Sequence, residues 1–202
     1  MHKLILLFVI SLCVFKVSAQ SQWEIETVRE INPSNPDNKI WNGLSRSVAP
    51  IAVGLPIGMF AASLINNNKQ LKQQSFEVFG SLIIATATSQ ALKRIVKRPR
   101  PYLTNAGIYP DEIDDGYAFP SGHSSIAFAT AASLSIINHK WYVVVPTFAW
   151  ATGVAYSRIY LGQHYPSDVL MGAMIGTASG FASHWLMKKI KPSKKHILKE
   201  LP

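Results

Sequence analysis

Three short stretches carry the side chains that could do chemistry. Residues 93–101 read Lys-Arg-Ile-Val-Lys-Arg-Pro-Arg-Pro, with five basic residues between 93 and 100. Residues 119–123 read Phe-Pro-Ser-Gly-His and precede a run of small and apolar residues. Residues 157–168 contain Ser157-Arg158, then His164, then Asp168. Each stretch alone has an ordinary reading. Basic residues at a helix C-terminus complement its dipole or touch lipid headgroups. Ser121 could be a plain N-cap. Asp168 could be an acid at a helix start, with His164 on the surface.

Taken together they suggest something more specific. A Ser N-cap leaves backbone N–H groups and the positive helix end open to an oxyanion. Gly122 lets the backbone approach that anion closely, and His123 falls in the first turn. His164 and Asp168 are four apart, on one side of a helical turn. A carboxylate bonded to one ring nitrogen fixes the tautomer and makes the other a better nucleophile or base. Arg158 offers a fork that matches phosphate, and Lys93 and Arg100 add two cations. Charge stabilisation, a nucleophile and an acid for the leaving group are what phosphoryl transfer requires.

The elements that position these residues must come from the apolar segments between them. The chain has 202 residues, the size of one domain; 48% are apolar, 15% are charged, and the formal charge is +9. That balance favours anionic partners: nucleic acid, phosphate esters or an acidic membrane surface. Five segments, 47–65, 76–92, 121–138, 141–157 and 169–187, carry no charge apart from Glu77. Each is close to the length of a membrane-crossing helix, and their Gly, Ala, Ser and Thr suit close helix contacts. Pro50, Pro56 and Pro146 are expected to kink them. The expectation is an all-α bundle of five to six membrane helices with the site at their outer ends. A soluble bundle of five buried helices is the alternative.

Threading the segments through a membrane from outside puts Lys69, Lys72, Lys140 and the lysine-rich tail inside. The 93–120 loop and the 158–168 turn fall outside. The tail obeys the positive-inside rule and the 93–100 cluster breaks it, which points to a function for that cluster other than topology.

Residues 1–19 read as a secretory signal, with Met1-His2-Lys3 as basic start, an apolar core and Val17-Ser18-Ala19 as cleavage site; an uncleaved anchor is the alternative. Cys13 is the only cysteine, so a cleaved chain has no disulfide or thiol chemistry. Residues 20–45 form a polar, exposed lead-in with loop chemistry at 32–37. Residues 46–188 form the domain that carries the three stretches, and 189–202 is a basic tail. The acidic run 111–115 reads as a solvated loop rather than a metal site. His2, His139, His184 and His196 lack partners at useful spacing and read as structural or surface residues.

Lys93-x6-Arg100-Pro101, Pro120-Ser121-Gly122-His123 and Ser157-Arg158-x5-His164-x3-Asp168 resemble the three signature motifs of the type 2 phosphatidic acid phosphatase (PAP2) family, which shares its site with vanadium haloperoxidases. All three occur in order, within about residues 45–188. The resemblance implies that His164 attacks phosphorus and carries a phosphohistidine, that Asp168 orients it, and that His123 protonates the leaving oxygen. Lys93, Arg100, Ser121, Gly122 and Arg158 would bind the phosphate oxygens. It implies work without a metal or other cofactor, and the membrane and a phosphate ester as partners rather than nucleic acid.

The expected substrate is a lipid phosphate at the periplasmic face of a bacterial inner membrane: phosphatidic acid, undecaprenyl diphosphate, phosphatidylglycerol phosphate or lipid A. A broad-specificity soluble periplasmic acid phosphatase, a vanadium-dependent haloperoxidase and a lipid-binding protein without catalysis are the competing readings.

Overall fold

The computed structural model describes residues 21–190. The expected signal at 1–19 and all but the start of the basic tail lie outside the described residues, as do His2 and His196. The described residues form eight helical segments and no strand. They are α1 (Gln22–Ile31), α2 (Lys39–Arg46), α3 (Val48–Ile65), α4 (Lys69–Val96), the single turn α5 (Pro101–Thr104), α6 (Gly122–Ile137), α7 (Trp141–Tyr160) and α8 (Pro166–Ile190).

The five long helices correspond to the five apolar segments. α4 outruns its segment at the N-terminus, where the Asn68 side chain caps it by accepting from the Leu71 N–H at 3.0 Å. It ends at Val96; Lys97 takes a left-handed conformation with φ 52°. The following Arg98-Pro99 favours extended backbone and stops the helix. Pro50 lies in the first turn of α3, while Pro56 and Pro146 sit inside α3 and α7.

Among the described residues, only α3 is both long and apolar enough to cross a membrane by composition; α6 is apolar but shorter. The other four long helices do not meet that measure of length and composition. Small polar residues dilute the others, and they face inward. Ser75, Ser81 and Ser89 of α4, Ser124, Ser125 and Ser133 of α6, and Ser179 and Ser183 of α8 are buried. Phe76, Phe79, Ile83, Leu170, Met174, Phe181 and Trp185 on the same helices are exposed. On α4 and α8, serines thus face inward while large apolar side chains face outward.

Helix α6 packs against α4, α7 and α8. Hydroxyl pairs tie it to α4: Ser89 Oγ donates to Ser125 Oγ and Ser133 Oγ to Ser81 Oγ, both at 2.8 Å. Against α8 the contact is closer still. A Cβ on Gly172 would lie 2.6 Å from the Ser121 carbonyl oxygen, and one on Gly176 would collide with the Ser125 carbonyl oxygen and lie 2.8 Å from the Ala129 nitrogen. Glycine spaced by four lets the two backbones touch. This contact sets the start of α8 beside the start of α6, where the Ser121 N–H donates to the Asp168 carbonyl at 2.9 Å.

The polar lead-in is not an exposed loop. Its composition suggested loop chemistry, but α1 and α2 each bury one polar edge against the bundle. Glu24, Val28, Asn32 and Ser45 are all buried. Asn32 Nδ2 donates to the carbonyls of Tyr109 and Tyr160 at 2.8 Å each, and Asn32 Oδ1 accepts from the Tyr109 N–H at 2.7 Å. One amide thereby satisfies three backbone groups, two on Tyr109 and one at the end of α7, a fit that the proline-rich sequence around it hides. His184, expected to lack a partner, lies 2.8 Å from Glu77 through Nδ1. Glu77 is buried, and a buried carboxylate needs such a partner.

Candidate active site

Four helix ends meet at one end of the bundle. The C-terminus of α4 brings Lys93, the N-terminus of α6 brings Ser121 to His123, the C-terminus of α7 brings Arg158, and the turn into α8 brings His164 and Asp168. The chain past α4 brings Arg98 and Arg100. Glycine makes the turn from α7 possible. Gly162 has φ +67°, and a Cβ there would lie 2.6 Å from the Tyr109 carbonyl oxygen. The N–H groups of Gln163 and His164 then both donate to the Arg158 carbonyl at 3.1 Å.

His164 is the centre of this arrangement, with only 2% of its side chain exposed. Burial, then the charges of Arg158, Arg100 and Lys93, and His123 beside them, hold its pKa well below the usual histidine value. The imidazole is therefore neutral and keeps a lone pair for attack. Lys93, Arg100, Arg158 and His123 are all close enough to act on its charge.

The expected hydrogen bond from Asp168 to His164 is not made. Asp168 Oδ2 lies 3.7 Å from His164 Nδ1, beyond bonding distance, and that nitrogen is buried without a partner among the described residues. Both carboxylate oxygens are already held: Oδ1 accepts from Arg98 Nη1 and Oδ2 from the Tyr165 N–H, each at 2.8 Å. Asp168 thus stands behind His164, facing its inner nitrogen, as the i, i+4 spacing implied.

Ser121 caps α6, accepting from the Ser124 N–H at 3.4 Å and from Ser124 Oγ at 3.0 Å. Its own N–H is taken by the Asp168 carbonyl, so it is not one of the free donors. Those are the N–H groups of Gly122 and His123, which have no backbone partner among the described residues. The anion-binding end of α6 is therefore made by Gly122 and His123, with the Ser121 hydroxyl hydrogen in reserve.

The cations are unequally engaged. Arg158 is buried; its Nη1 donates to Ser45 Oγ at 2.6 Å, and its Nε has no partner among the described residues. Lys93 Nζ donates to the Tyr117 carbonyl. Arg100 is the most engaged, with one Nη2 hydrogen left: Nε donates to the Gly116 carbonyl at 2.8 Å, Nη1 to the Gln163 carbonyl at 3.2 Å and Oε1 at 2.7 Å, and Nη2 pairs with Asp114.

The acidic run is thus not merely solvated. Asp114 neutralises Arg100, and Asp111 Oδ1 accepts from Gln163 Nε2 at 2.7 Å. A cation buried in this corner needs a nearby anion, and the loop supplies it. Burial works against the charge on Asp114, but the Gly116 N–H, Arg100 and Lys93 outweigh it and hold its pKa below the usual carboxylate value.

Several residues at the site were missed by sequence reasoning. Arg98 sits inside the first motif but was read only as part of a basic run. Its Nη1 also donates to Ser167 Oγ at 2.7 Å, its Nη2 pairs with Glu24 at 2.7 Å, and its guanidinium stacks 4.0 Å from the Tyr165 ring centre. Glu24 and Ser45 lie in the lead-in and carry no local signature. The one available signal for Arg98 was the Pro that follows it: a chain forced out of helix can turn its side chain back toward the start of α8.

The chain is 31% identical over 104 residues to the undecaprenyl-diphosphatase of Sulfolobus acidocaldarius, a match covering 51% of this chain and 50% of the relative. It is 35% identical over 75 residues to the lipid A 4'-phosphatase of Bacteroides thetaiotaomicron, covering 37% of this chain and 33% of that one. The chain thus spans a third to a half of the length of these relatives. The crystal structure of a transmembrane PAP2 type phosphatidylglycerolphosphate phosphatase from Bacillus subtilis superposes with a TM-score of 0.69 at 23% identity, covering 95% of this chain and 98% of that one, a likeness of fold. Residues 74–192, more than half of the chain and inclusive of all three motifs, match the PAP2 superfamily, and the chain belongs to that family.

Proposed function

We propose that this protein is a membrane-embedded phosphatase that removes phosphate from a lipid monoester or diphosphate through a phosphohistidine. The observation that carries this reading is the buried His164 at one end of the bundle, among Lys93, Arg100 and Arg158, whose charges favour its neutral form. The names of the relatives, which act on undecaprenyl diphosphate and lipid A, support a lipid substrate.

In the proposed reaction, the substrate phosphate lies against the Gly122 and His123 N–H groups and the three cations. The outer nitrogen of His164 attacks phosphorus as the bond to the leaving oxygen breaks. His123 gives that oxygen a proton, releasing the alcohol or, from a diphosphate, the lipid monophosphate. Water then attacks the phosphohistidine, His123 takes its proton, and phosphate leaves with His164 restored. Spread of charge onto the cations in the transition state supplies much of the rate.

Membrane embedding is supported by the outward Phe, Leu, Ile and Trp and the inward Ser and Gly of α4 and α8. Lys69, Lys72 and Lys140 lie at the ends of helices away from the site, consistent with a site on the outer face of an inner membrane.

The test is phosphate release by the purified protein from phosphatidic acid, undecaprenyl diphosphate, phosphatidylglycerol phosphate, lipid A and a soluble aryl phosphate. Turnover of at least one lipid well above the soluble ester is expected. Equal rates on all five would favour a broad-specificity acid phosphatase, and no release from any would overturn the reading.

A further inference from the structure

We propose that Glu24 and Arg98 are positioning residues for Asp168, and through it for His164, so that helix α1 is a working part of the site. The inference rests on the phosphatase reading above. Glu24 lies fifty residues ahead of the region that matches the family, and nothing in the three motifs points to it.

Three buried charges form a line. Asp168 Oδ1 accepts from Arg98 Nη1 at 2.8 Å, and Glu24 Oε2 accepts from Arg98 Nη2 at 2.7 Å. The second oxygen of Glu24 accepts from the Ser167 N–H at 3.1 Å. Ser167 in turn accepts from Arg98 through its hydroxyl. Glu24 and Arg98 are each 5% exposed and Asp168 is not exposed at all. The Tyr165 ring closes the face of the guanidinium. Arg98 has both its terminal nitrogens committed to this group and its Nε buried without a partner. Its guanidinium is held by Asp168, Glu24 and Ser167 and covered by Tyr165 rather than presented to a phosphate.

The arrangement does two things that a lone Arg98–Asp168 pair would not. Glu24 fixes the guanidinium by its far nitrogen and fixes the turn by Ser167, so the Asp168 carboxylate is set in position and angle. It also divides the charge of Arg98 between two carboxylates. Asp168 is therefore not fully neutralised and keeps negative charge toward His164 Nδ1, 3.7 Å away. That charge is what favours a proton on the inner nitrogen and a lone pair on the outer one, and it stabilises the ring as it gains positive charge during attack. With Glu24 neutral, Arg98 would draw on Asp168 alone and weaken this effect.

The experiment is steady-state kinetics of full-length Glu24→Gln on the lipid that the wild type turns over, with Glu26→Gln, an exposed acid on the same helix, as control. A fall in kcat of about tenfold is expected, the lower end of what partners behind a reacting group cost, with KM within about twofold because the phosphate ligands are untouched. Glu24→Asp, which keeps the charge, recovers part of the lost kcat. Unchanged kcat in Glu24→Gln, a loss confined to KM, or equal damage in the Gln and Asp variants would overturn the proposal. If Glu24→Gln does not accumulate as folded protein, Arg98→Lys replaces it. A lysine has one ammonium where the guanidinium has separate Nη1 and Nη2 donors for Asp168 and Glu24, so the same loss of kcat at constant KM is expected, and an unchanged kcat overturns the proposal. Wild-type protein with no turnover would bring down the phosphatase reading and this inference together, whereas an active wild type with an unaffected Glu24→Gln brings down this inference alone.

Discussion

Residues 93–168 and residues 21–46 both reach the candidate site, but in different ways. The first stretch supplies Lys93, Arg100, His123, Arg158, His164 and Asp168, grouped in three short runs. The second supplies scattered polar side chains that stand behind them: Glu24 on Arg98, Asn32 on the loop before α6, and Ser45 on Arg158. Groups that surround one phosphate must converge on a few ångströms of space, and short runs at helix ends achieve that. Groups that brace them from outside can come from any element that happens to pack nearby, so their spacing in sequence follows no rule.

The largest expected effect that tests this division is His164→Ala. Loss of the nucleophile should lower phosphate release by about 10⁴-fold or more. Retention of normal turnover in that variant would remove the phosphohistidine and with it the special standing of the motif stretch. His123→Ala comes next, at about 10²–10⁴-fold for an alkyl phosphate. Its effect should shrink with an aryl phosphate, whose leaving oxygen needs no proton, and equal losses on both would take His123 out of the acid role.

Ser45→Ala probes the bracing stretch. It removes a hydrogen bond to a buried guanidinium, of the order of 1.5–3 kcal/mol, and part of that should appear as a fall of about fivefold in kcat/KM. A loss as deep as that of His123→Ala would show that the two stretches cannot be separated as contact and support.

The smallest expected effect is in the pH profile. Acid removes the lone pair of His164 by protonating it. Because the pKa of His164 is held below the usual histidine value of about 6.5, the free-enzyme form stays competent at pH values where an ordinary histidine would already be charged. The acid limb of kcat/KM that belongs to this group should therefore lie below that range. A limb at or above it that disappears in no other variant would mean that the surrounding cations do not act on His164 as the geometry implies.

Much of this was legible from residue types and spacing. The helix ends that carry the motifs lie together, because the apolar segments run back and forth, joined by short turns and by the longer 97–121 stretch, and return their ends to two faces. The i, i+4 spacing of His164 and Asp168 put the carboxylate behind the imidazole. What was not legible was occupancy. Asp168 spends both oxygens on Arg98 and the Tyr165 N–H, Ser121 spends its N–H on the Asp168 carbonyl, and Arg100 spends most of its donors on the 114–116 loop and Gln163. A sequence shows what a side chain can bond, not which neighbour arrives first. The lead-in was misread for a related reason. Its polar composition resembles a solvated loop, yet Glu24 and Asn32 are polar because they are bonded inside the protein.

The contact between α6 and α8 carries a consequence for how the protein tolerates change. Gly172 and Gly176 have no functional group, touch no phosphate and lie outside every motif, yet a single added carbon at either would press on the α6 backbone. The hydrogen bond that joins Ser121 to Asp168 depends on that closeness. In a scan of all substitutions, these two positions should be as intolerant as the histidines, and the cause would be a side chain that has to be missing.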